Sequence, residues 1–324
     1  MFNRRDFLRK SFMGAAVVAV PGTFSNQTLA SELINRKAFK PLPVSCLSYS
    51  FNGLLRQGMM DIFHFFETCR FRYGLDAADI WNGMFTSTEE DYINKVHRAL
   101  EERQLVVPNI AVDGPIILTT KSEDPSKRCA LQDRYMHIAK QLGAGFVRVD
   151  TGPYMINRKE EDGWTNQEFD YLVKRYRELS QFAYDNGFRV GAENHWGPER
   201  CWIHMEKLIK AIDHPGFGMC LHFGNWKPDS PETLEQDNDI ADRSCAKWIY
   251  HTHFMWEICD NNEMLQQKMN MLRDAGYQGY YSAEHHSAQN EYNLTGVQIN
   301  KIRAILTNWN NGGTGELIPP RLNS

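Results

Sequence analysis

The sequence contains no cysteine pair of the C-x-x-C type, and its seven cysteines are scattered along 324 residues. An odd, dispersed set is typical neither of a disulfide framework nor of a structural zinc site. Most of the thiols are therefore predicted to be buried as small apolar side chains. An excess of positive charge is also absent, because the net charge is -4. Proteins that bind polyanions usually carry a basic surface, so the sequence predicts no nucleic-acid partner.

The N-terminal residues combine paired arginines with an apolar run that is too short to cross a bilayer as a helix. Arg4 and Arg5 precede this run, which extends over residues 12–20, and a region of small residues follows near Ala30. The pattern is typical of a secretory signal, and the arginine pair resembles a twin-arginine export signal. A basic amphipathic helix is the alternative. We expect residues 1–30 to be removed on export to the periplasm, which leaves no stable membrane anchor.

Short apolar runs alternate with long segments of helical period from residue 43 onward. Each of eight runs is predicted to form a strand: 44–51, 74–81, 105–112, 145–151, 188–194, 217–223, 248–254 and 279–285. Eight strand–helix repeats indicate an α/β fold, a single (β/α)8 TIM barrel. The alternative is an open doubly wound sheet, but no G-x-G-x-x-G motif follows the first run. No Pro-, Gly- or Ser-rich linker interrupts the repeats, so one catalytic domain is predicted over 43–310, between a linker (31–42) and a tail (311–324).

Polar side chains stand at the carboxyl ends of the last four runs, where the active sites of such barrels lie. Glu193 and His195 share one face of the fifth strand because side chains alternate along a strand. His222 ends the sixth run, His253 the seventh and Glu284 the eighth. Any one of these residues alone would be interpreted as a hydrogen-bonded core residue. Four of them on successive strands favour a divalent metal ion bound by Glu193, His222, His253 and Glu284.

The segments AENHWG, CLHFGNW, HTHF and YYSAEHH resemble those of the xylose isomerase-like TIM-barrel family of sugar isomerases and epimerases. The resemblance extends over about 43–310 and implies one divalent cation, commonly manganese, at the same four positions. Two imidazoles among the ligands also keep zinc, cobalt, iron and nickel as candidates. In the epimerases of this family the two ligand glutamates act as acid and base from opposite faces of the substrate. The resemblance therefore assigns catalytic roles to Glu193 and Glu284.

Two positions depart from the pattern of the family. His222 stands where the family has Asp, and Met255-Trp256 stand where Lys-Asp is usual. The first change removes one negative charge from the site, and the second removes a cation that would be available to bind substrate. Both changes count against the usual substrates of the family.

Further residues near the strand ends are predicted to bind the substrate. His195, one pleat beyond Glu193, is the best candidate for a hydrogen bond to a substrate hydroxyl and is also a candidate catalytic residue. Four tryptophans at or just past strand ends are candidates for stacking on a sugar ring, and packing at the rim is the alternative. The predicted substrate-binding residues are His195, Asn225, His251, His286, Trp81, Trp196, Trp226 and Trp256.

Metal-assisted removal of a proton next to a carbonyl is the chemistry that such a site supports. The sequence therefore predicts an isomerase or epimerase of a small sugar. An exported enzyme would act on an unphosphorylated sugar, since phosphorylated sugars are mainly cytoplasmic. A 3-keto-glycoside lyase or deglycosidase, which eliminates the aglycone at the same site, is the second interpretation.

Two other classes of protein are disfavoured. An AP-endonuclease-like protein of this fold would carry His at the position of Asn225. A non-catalytic sugar-binding protein would need no metal ligands. The sequence leaves open which sugar and which metal are bound, and whether the chain forms a homo-oligomer.

Overall fold

The computed structural model describes residues 42–118, 124–152, 163–227 and 234–317. The predicted signal peptide lies outside these ranges, as do the predicted linker up to residue 41 and the end of the tail from residue 318. Within the described ranges, no helix is both long enough and apolar enough to cross a membrane.

Eight parallel strands form one curled sheet, which confirms the predicted (β/α)8 TIM barrel. The strands are β1 Val44–Cys46, β2 Ile80–Trp81, β3 Asn109–Val112, β4 Phe146–Val149, β5 Arg189–Glu193, β6 Phe217–His222, β7 Ile249–Phe254 and β8 Tyr281–Ala283. Their order is β1-β8-β7-β6-β5-β4-β3-β2. The Asp79 amide donates to the Cys46 carbonyl oxygen (3.1 Å), and the Ser48 amide donates to the Asp79 carbonyl oxygen (2.9 Å). These bonds join β1 to the segment that enters β2, so the ring of strands closes.

Helices surround the strands and bury an apolar face against them. The α-helices of the described segments are α1 Asn52–Arg56, α2 Ile62–Glu67, α3 Glu90–Arg103, α4 Pro125–Leu142, α5 Asn166–Asp185, α6 Trp202–Ile212, α7 Leu234–Cys245, α8 Trp256–Asp260, α9 Asn262–Asp274 and α10 Glu291–Asn310. Helix α5 begins with a capping box, in which Thr165 and Glu168 each accept the other's backbone amide. It buries Leu172 and Tyr176 one turn apart. Gly187, with φ of 81°, follows its end.

Contacts between strands that are not neighbours identify the interior of the barrel. His251 on β7 reaches Asp79 at the start of β2, with 2.6 Å between Nε2 and Oδ2. The ring of Phe146 on β4 lies nearly parallel to that of His251, at an angle of 18°. Gly191 on β5 provides space for this aromatic layer, because a Cβ there would lie 3.0 Å from the Phe146 ring and 1.9 Å from the Gly218 carbonyl oxygen. The interior therefore has an aromatic layer beneath a polar one.

Asn194 connects the carboxyl ends of β5 and β6. Its Nδ2 donates to the His222 carbonyl oxygen (2.8 Å), and its Oδ1 accepts the His222 backbone amide (2.7 Å). The Asn194 side chain is fully buried, so these bonds satisfy both ends of its amide group. The Asn194 side chain therefore holds the ends of β5 and β6 in register. Glu193 and His195, its neighbours in the sequence, turn towards the mouth of the barrel.

Candidate active site

The four residues predicted as metal ligands lie together and are all buried. Glu193 Oε1 is 2.7 Å from His253 Nδ1 and 3.8 Å from His222 Nδ1. Glu284 Oε2 is 3.5 Å from His253 Nδ1 and 3.6 Å from His222 Nε2. Two ligand atoms about 2.0–2.2 Å from one tetrahedral ion lie about 3.3–3.6 Å apart. The two Glu284 separations fit this spacing, whereas the Glu193–His253 contact is shorter. The four residues belong to two adjacent groups of candidate ligands, one of Glu193, Cys220 and His253 and one of His222, Glu284 and His286.

Buried polar atoms without partners also fit a metal ion. Neither ring nitrogen of His222 has a hydrogen-bond partner, and Glu284 Oε2 has none. Burial lowers the pKa of His222 to about 4, so the imidazole is neutral near pH 7 and its lone pair is available to a cation. Unpartnered buried polar atoms are rare in native proteins, and a bound cation would provide a partner for both residues. The residues present therefore fit a divalent metal ion.

Asp79 holds His253 from deeper in the barrel. Its Oδ2 lies 3.3 Å from His253 Nε2 and 2.6 Å from His251 Nε2, and it accepts the Ser282 hydroxyl (2.8 Å). Its Oδ1 accepts the Asn109 side-chain amide (2.9 Å). Burial favours a raised pKa for Asp79, but the two histidines outweigh this effect and lower its pKa. The ionised carboxylate therefore orients the His253 ring so that Nδ1 faces the other predicted ligands.

Arg148 lies between three carboxylates on the other side of the cluster and is 3% exposed. Its Nη1 is 2.5 Å from Asp113 Oδ1 and 2.5 Å from Asp150 Oδ2, and its Nε is 2.9 Å from Glu193 Oε2. Burial favours a raised pKa for Glu193, but Arg148 and then two neighbouring histidines hold its pKa well below the usual range. Because Oε2 faces Arg148, Glu193 presents only Oε1 to the rest of the cluster.

A cavity of about 260 Å³ opens over these residues. It is lined by Leu47, Tyr49, Trp81, Asp113, Arg148, His195, Trp196, Glu284 and His286. Pockets for drug-sized ligands are usually about 300–1,000 Å³, so this one suits a smaller molecule. Glu284 is among the lining residues and Glu193 is not, which gives the two glutamates different access to a ligand.

Four of the predicted substrate-binding residues line this cavity: Trp81, His195, Trp196 and His286. His195 Nδ1 lies 3.0 Å from Asp150 Oδ2, which fixes the orientation of the imidazole. His286 Nε2 lies 3.1 Å from Glu284 Oε1, and the His286 side chain is 39% exposed. The cavity therefore has fixed polar groups on two sides and tryptophans beside them.

The other four do not line it: Asn225, His251, Trp226 and Trp256. Trp226 is 2% exposed and donates its indole N–H to Asp242 (2.9 Å), so it packs in the core. His251 lies deeper in the barrel, and the side-chain amide of Asn225 donates to backbone carbonyl groups. We leave these four residues out of the proposed substrate site.

Five residues of the site carry no assignment from the sequence: Tyr49, Asp79, Asp113, Arg148 and Asp150. Asp113 and Asp150 directly follow β3 and β4, so the criterion applied to the last four strands would have found both. Arg148 is a charged residue within a buried strand, which indicates carboxylate partners. Asp79 precedes β2, and Tyr49 lies in the 3-10 turn after β1, so neither stands at a strand's carboxyl end.

The chain belongs to the xylose isomerase-like TIM barrel family, because a sequence model of that family matches residues 71–305. A comparison with proteins of curated function finds no match. The family resemblance that we infer from the sequence motifs is therefore confirmed.

Solved structures with the same fold include a xylose isomerase-like TIM barrel protein from Mycobacterium smegmatis in complex with magnesium. It is 16% identical with a TM-score of 0.64, over 82% of this chain and 97% of that chain. A 3-keto-D-glucoside 4-epimerase from E. coli is 16% identical with a TM-score of 0.60, over 81% and 99%. A probable 3-DHS dehydratase from Bacillus anthracis is 15% identical with a TM-score of 0.61, over 81% and 99%. At these identities the likeness concerns the fold.

Replacing Arg148 with Met should lower the free energy of unfolding by about 3–5 kcal/mol at pH 7, because buried carboxylates lose their partner. Arg148 lowers the folded-state pKa of Glu193. The stabilisation is therefore present above the unfolded-state pKa of about 4.3 and is lost as the pH falls towards the folded-state value. Denaturant unfolding of both proteins between pH 3 and 8 measures this. The exposed Arg273→Met is the control, with an expected loss below about 1 kcal/mol. A loss for Arg148→Met that is the same at every pH would contradict the assignment.

Proposed function

We propose that the protein is a metal-dependent enzyme that removes a proton next to the carbonyl group of an unphosphorylated sugar or sugar derivative, as an isomerase or epimerase. The observation that carries the proposal is the buried cluster of Glu193, His222, His253 and Glu284, which adjoins a cavity of about 260 Å³. Membership of the xylose isomerase-like family supports the same class of chemistry.

The chain's own residues would position the substrate in this cavity. When bound, a divalent ion supplies Lewis acidity, which favours loss of a proton from the carbon next to a carbonyl. His195, whose Nδ1 lies 3.0 Å from Asp150, is held in place to hydrogen-bond a substrate hydroxyl. Trp81 and Trp196 border the cavity and limit the access of water to it. Together these residues suit a compact molecule with several hydroxyl groups.

Glu284 is better placed than Glu193 to accept a proton from the substrate. Glu284 lines the cavity, and its Oε1 lies 3.1 Å from the partly exposed His286, which provides a path to solvent. Glu193 does not line the cavity, and its Oε2 forms an ion pair with Arg148 Nε at 2.9 Å. The site therefore departs from the arrangement of two equivalent glutamates that the resemblance implies. We assign the base to Glu284 and keep Glu193 as a ligand.

Elimination from a 3-keto-glycoside is the second candidate, and this asymmetry favours it. Elimination removes one proton from carbon and needs one base, whereas epimerisation also delivers a proton to the opposite face of the sugar. A lyase or deglycosidase would therefore use Glu284 without an equivalent partner. The proteins that share the fold include one named as an epimerase and one named as a dehydratase.

We expect one divalent metal ion per chain, with manganese as the ion that the family resemblance implies. Elemental analysis of protein purified without chelator measures the content. His253→Ala and Glu284→Ala should lose the ion. Asp79→Asn should weaken metal binding about 10–100-fold, because Asp79 orients His253 without touching the ion. The exposed Asp185→Asn is the matched control. A metal content unchanged in the three site variants would refute the site.

Exchange with deuterium from D2O should identify the base and the substrate. Metal-loaded protein is incubated with a panel of unphosphorylated sugars and 3-keto-glycosides, and the exchanged carbon is located by NMR. With excess metal, Glu284→Gln should lower the exchange rate about 100-fold or more, because the amide cannot accept the proton. Glu193→Gln should lower it less. Equal losses would support a two-base epimerase, and release of an aglycone would establish the lyase.

We also propose that residues 1–30 direct export by the twin-arginine route. Arg4 and Arg5, followed by the weakly apolar run at 12–20, support this proposal. Replacing both arginines with Lys should retain the precursor in the cytoplasm, as followed by cell fractionation and immunoblotting. Delivery to the periplasm that is unaffected by the double substitution would favour the general secretory route.

A further inference from the structure

We infer that Cys220 is a metal ligand, bound through its sulfur, together with Glu193 and His253. The inference rests on the proposed metal dependence and extends the set of ligands. It also changes the expected identity of the ion.

The distances from the Cys220 sulfur are those of a shared ion. Sγ lies 3.6 Å from His253 Nδ1 and 3.8 Å from Glu193 Oε1. A sulfur ligand at about 2.3 Å and a nitrogen or oxygen ligand at about 2.0–2.2 Å from one tetrahedral ion lie about 3.5–3.7 Å apart. The distance from Sγ to His253 Nδ1 lies within this range, and the distance to Glu193 Oε1 lies just beyond it.

The position of Cys220 on β6 directs it into the site. Cys220 and His222 lie two residues apart and face the same side of the strand. In the register with β5, Cys220 is opposite Glu193. His222 is an independent sign of a ligand here, because it is 4% exposed and both its ring nitrogens are without a hydrogen-bond partner. Strand β6 thus presents two donors in succession to the same space.

Cys220 also differs from the other buried cysteines. The four that belong to the hydrophobic core cluster are Cys46, Cys69, Cys245 and Cys259. Cys220 is fully buried but is not part of that cluster. A carboxylate and an imidazole lie beside it instead. Packing as a small apolar side chain therefore explains the other four cysteines better than it explains Cys220.

Cationic groups already offset the charge of the two glutamates in this part of the barrel. Glu193 shares its charge with Arg148, and Glu284 shares its charge with His286. Coordination of Cys220 forms a sulfur–metal bond and releases the thiol proton to solvent. The resulting thiolate is a soft donor, so the site should select zinc, cobalt or iron(II) over manganese and magnesium.

Absorption spectroscopy with cobalt(II) as the only added metal tests the inference. Titration of the metal-free wild-type protein should produce visible d–d bands, which report binding, and a near-ultraviolet thiolate-to-cobalt band, which reports sulfur coordination. Cys220→Ser should keep the visible bands and lose the near-ultraviolet band. Cys245→Ser, which alters a buried thiol of the core cluster, should keep both. Competition between zinc and manganese should show a preference for zinc that falls at least about tenfold in Cys220→Ser.

The outcomes separate this inference from the proposed function. Visible bands without the near-ultraviolet band in wild-type protein would overturn the role of Cys220 and leave the metal site in place. Retention of the near-ultraviolet band in Cys220→Ser would overturn it as well. Absence of every cobalt band would refute the metal-dependent function itself. Circular dichroism shows whether Cys220→Ser folds. If it does not fold, the near-ultraviolet band of the wild-type protein alone decides whether sulfur coordinates the ion.

Discussion

Repulsion between carboxylates gathered in one barrel is the constraint on which the rest of the site depends. Five carboxylates approach one another there: Asp79, Asp113, Asp150, Glu193 and Glu284. Two like charges 4 Å apart cost about 4 kcal/mol at an effective dielectric constant of 20. Arg148 offsets this cost through contacts with three of the carboxylates. Burial favours a lowered pKa for His253, but the neighbouring carboxylates of Glu193, Glu284 and Asp79 outweigh it and raise its pKa well above the usual value. The protonated ring thus supplies a second positive charge beside them.

The compensation of charge is unequal across the barrel. On the side of β3 to β5, Arg148 holds Asp113, Asp150 and Glu193 in fixed ion pairs. On the side of β6 to β8, His222 is neutral and unpartnered. In the ion pairs of the described residues, every partner of Glu284 is a histidine. The first side holds its carboxylates in ion pairs with Arg148, whereas on the second side His222 and Glu284 Oε2 have no hydrogen-bond partners. The proposed removal of a proton by Glu284 would therefore leave the ion pairs of Arg148 intact.

The fold and the gathering of Glu193, His222, His253 and Glu284 could be predicted from the sequence because both depend on local patterns. Apolar runs of strand length mark each strand, and the last residue of a parallel strand lies at the mouth whatever the rest of the chain does. The residues that hold these side chains in place could not be predicted in this way. Asp79 meets His251 across the barrel at a separation of 172 residues, and only closure of the barrel brings them together. Trp226 is predicted to bind the substrate but packs in the core. A residue just past a strand end can turn into the core as easily as into the cavity.

The same charge distribution supports an unphosphorylated substrate without reference to export. Arg148 and His286 are cationic groups that line the described part of the cavity. Arg148 is already paired with three carboxylates, and His286 is paired with Glu284. A phosphate group would have to compete with those carboxylates for a partner and would face Asp113 as well. A neutral polyol meets no such penalty, because its hydroxyl groups donate to carboxylates as readily as they accept from imidazoles. The arrangement that allows five carboxylates to coexist in one barrel is thus a second ground for proposing an unphosphorylated substrate.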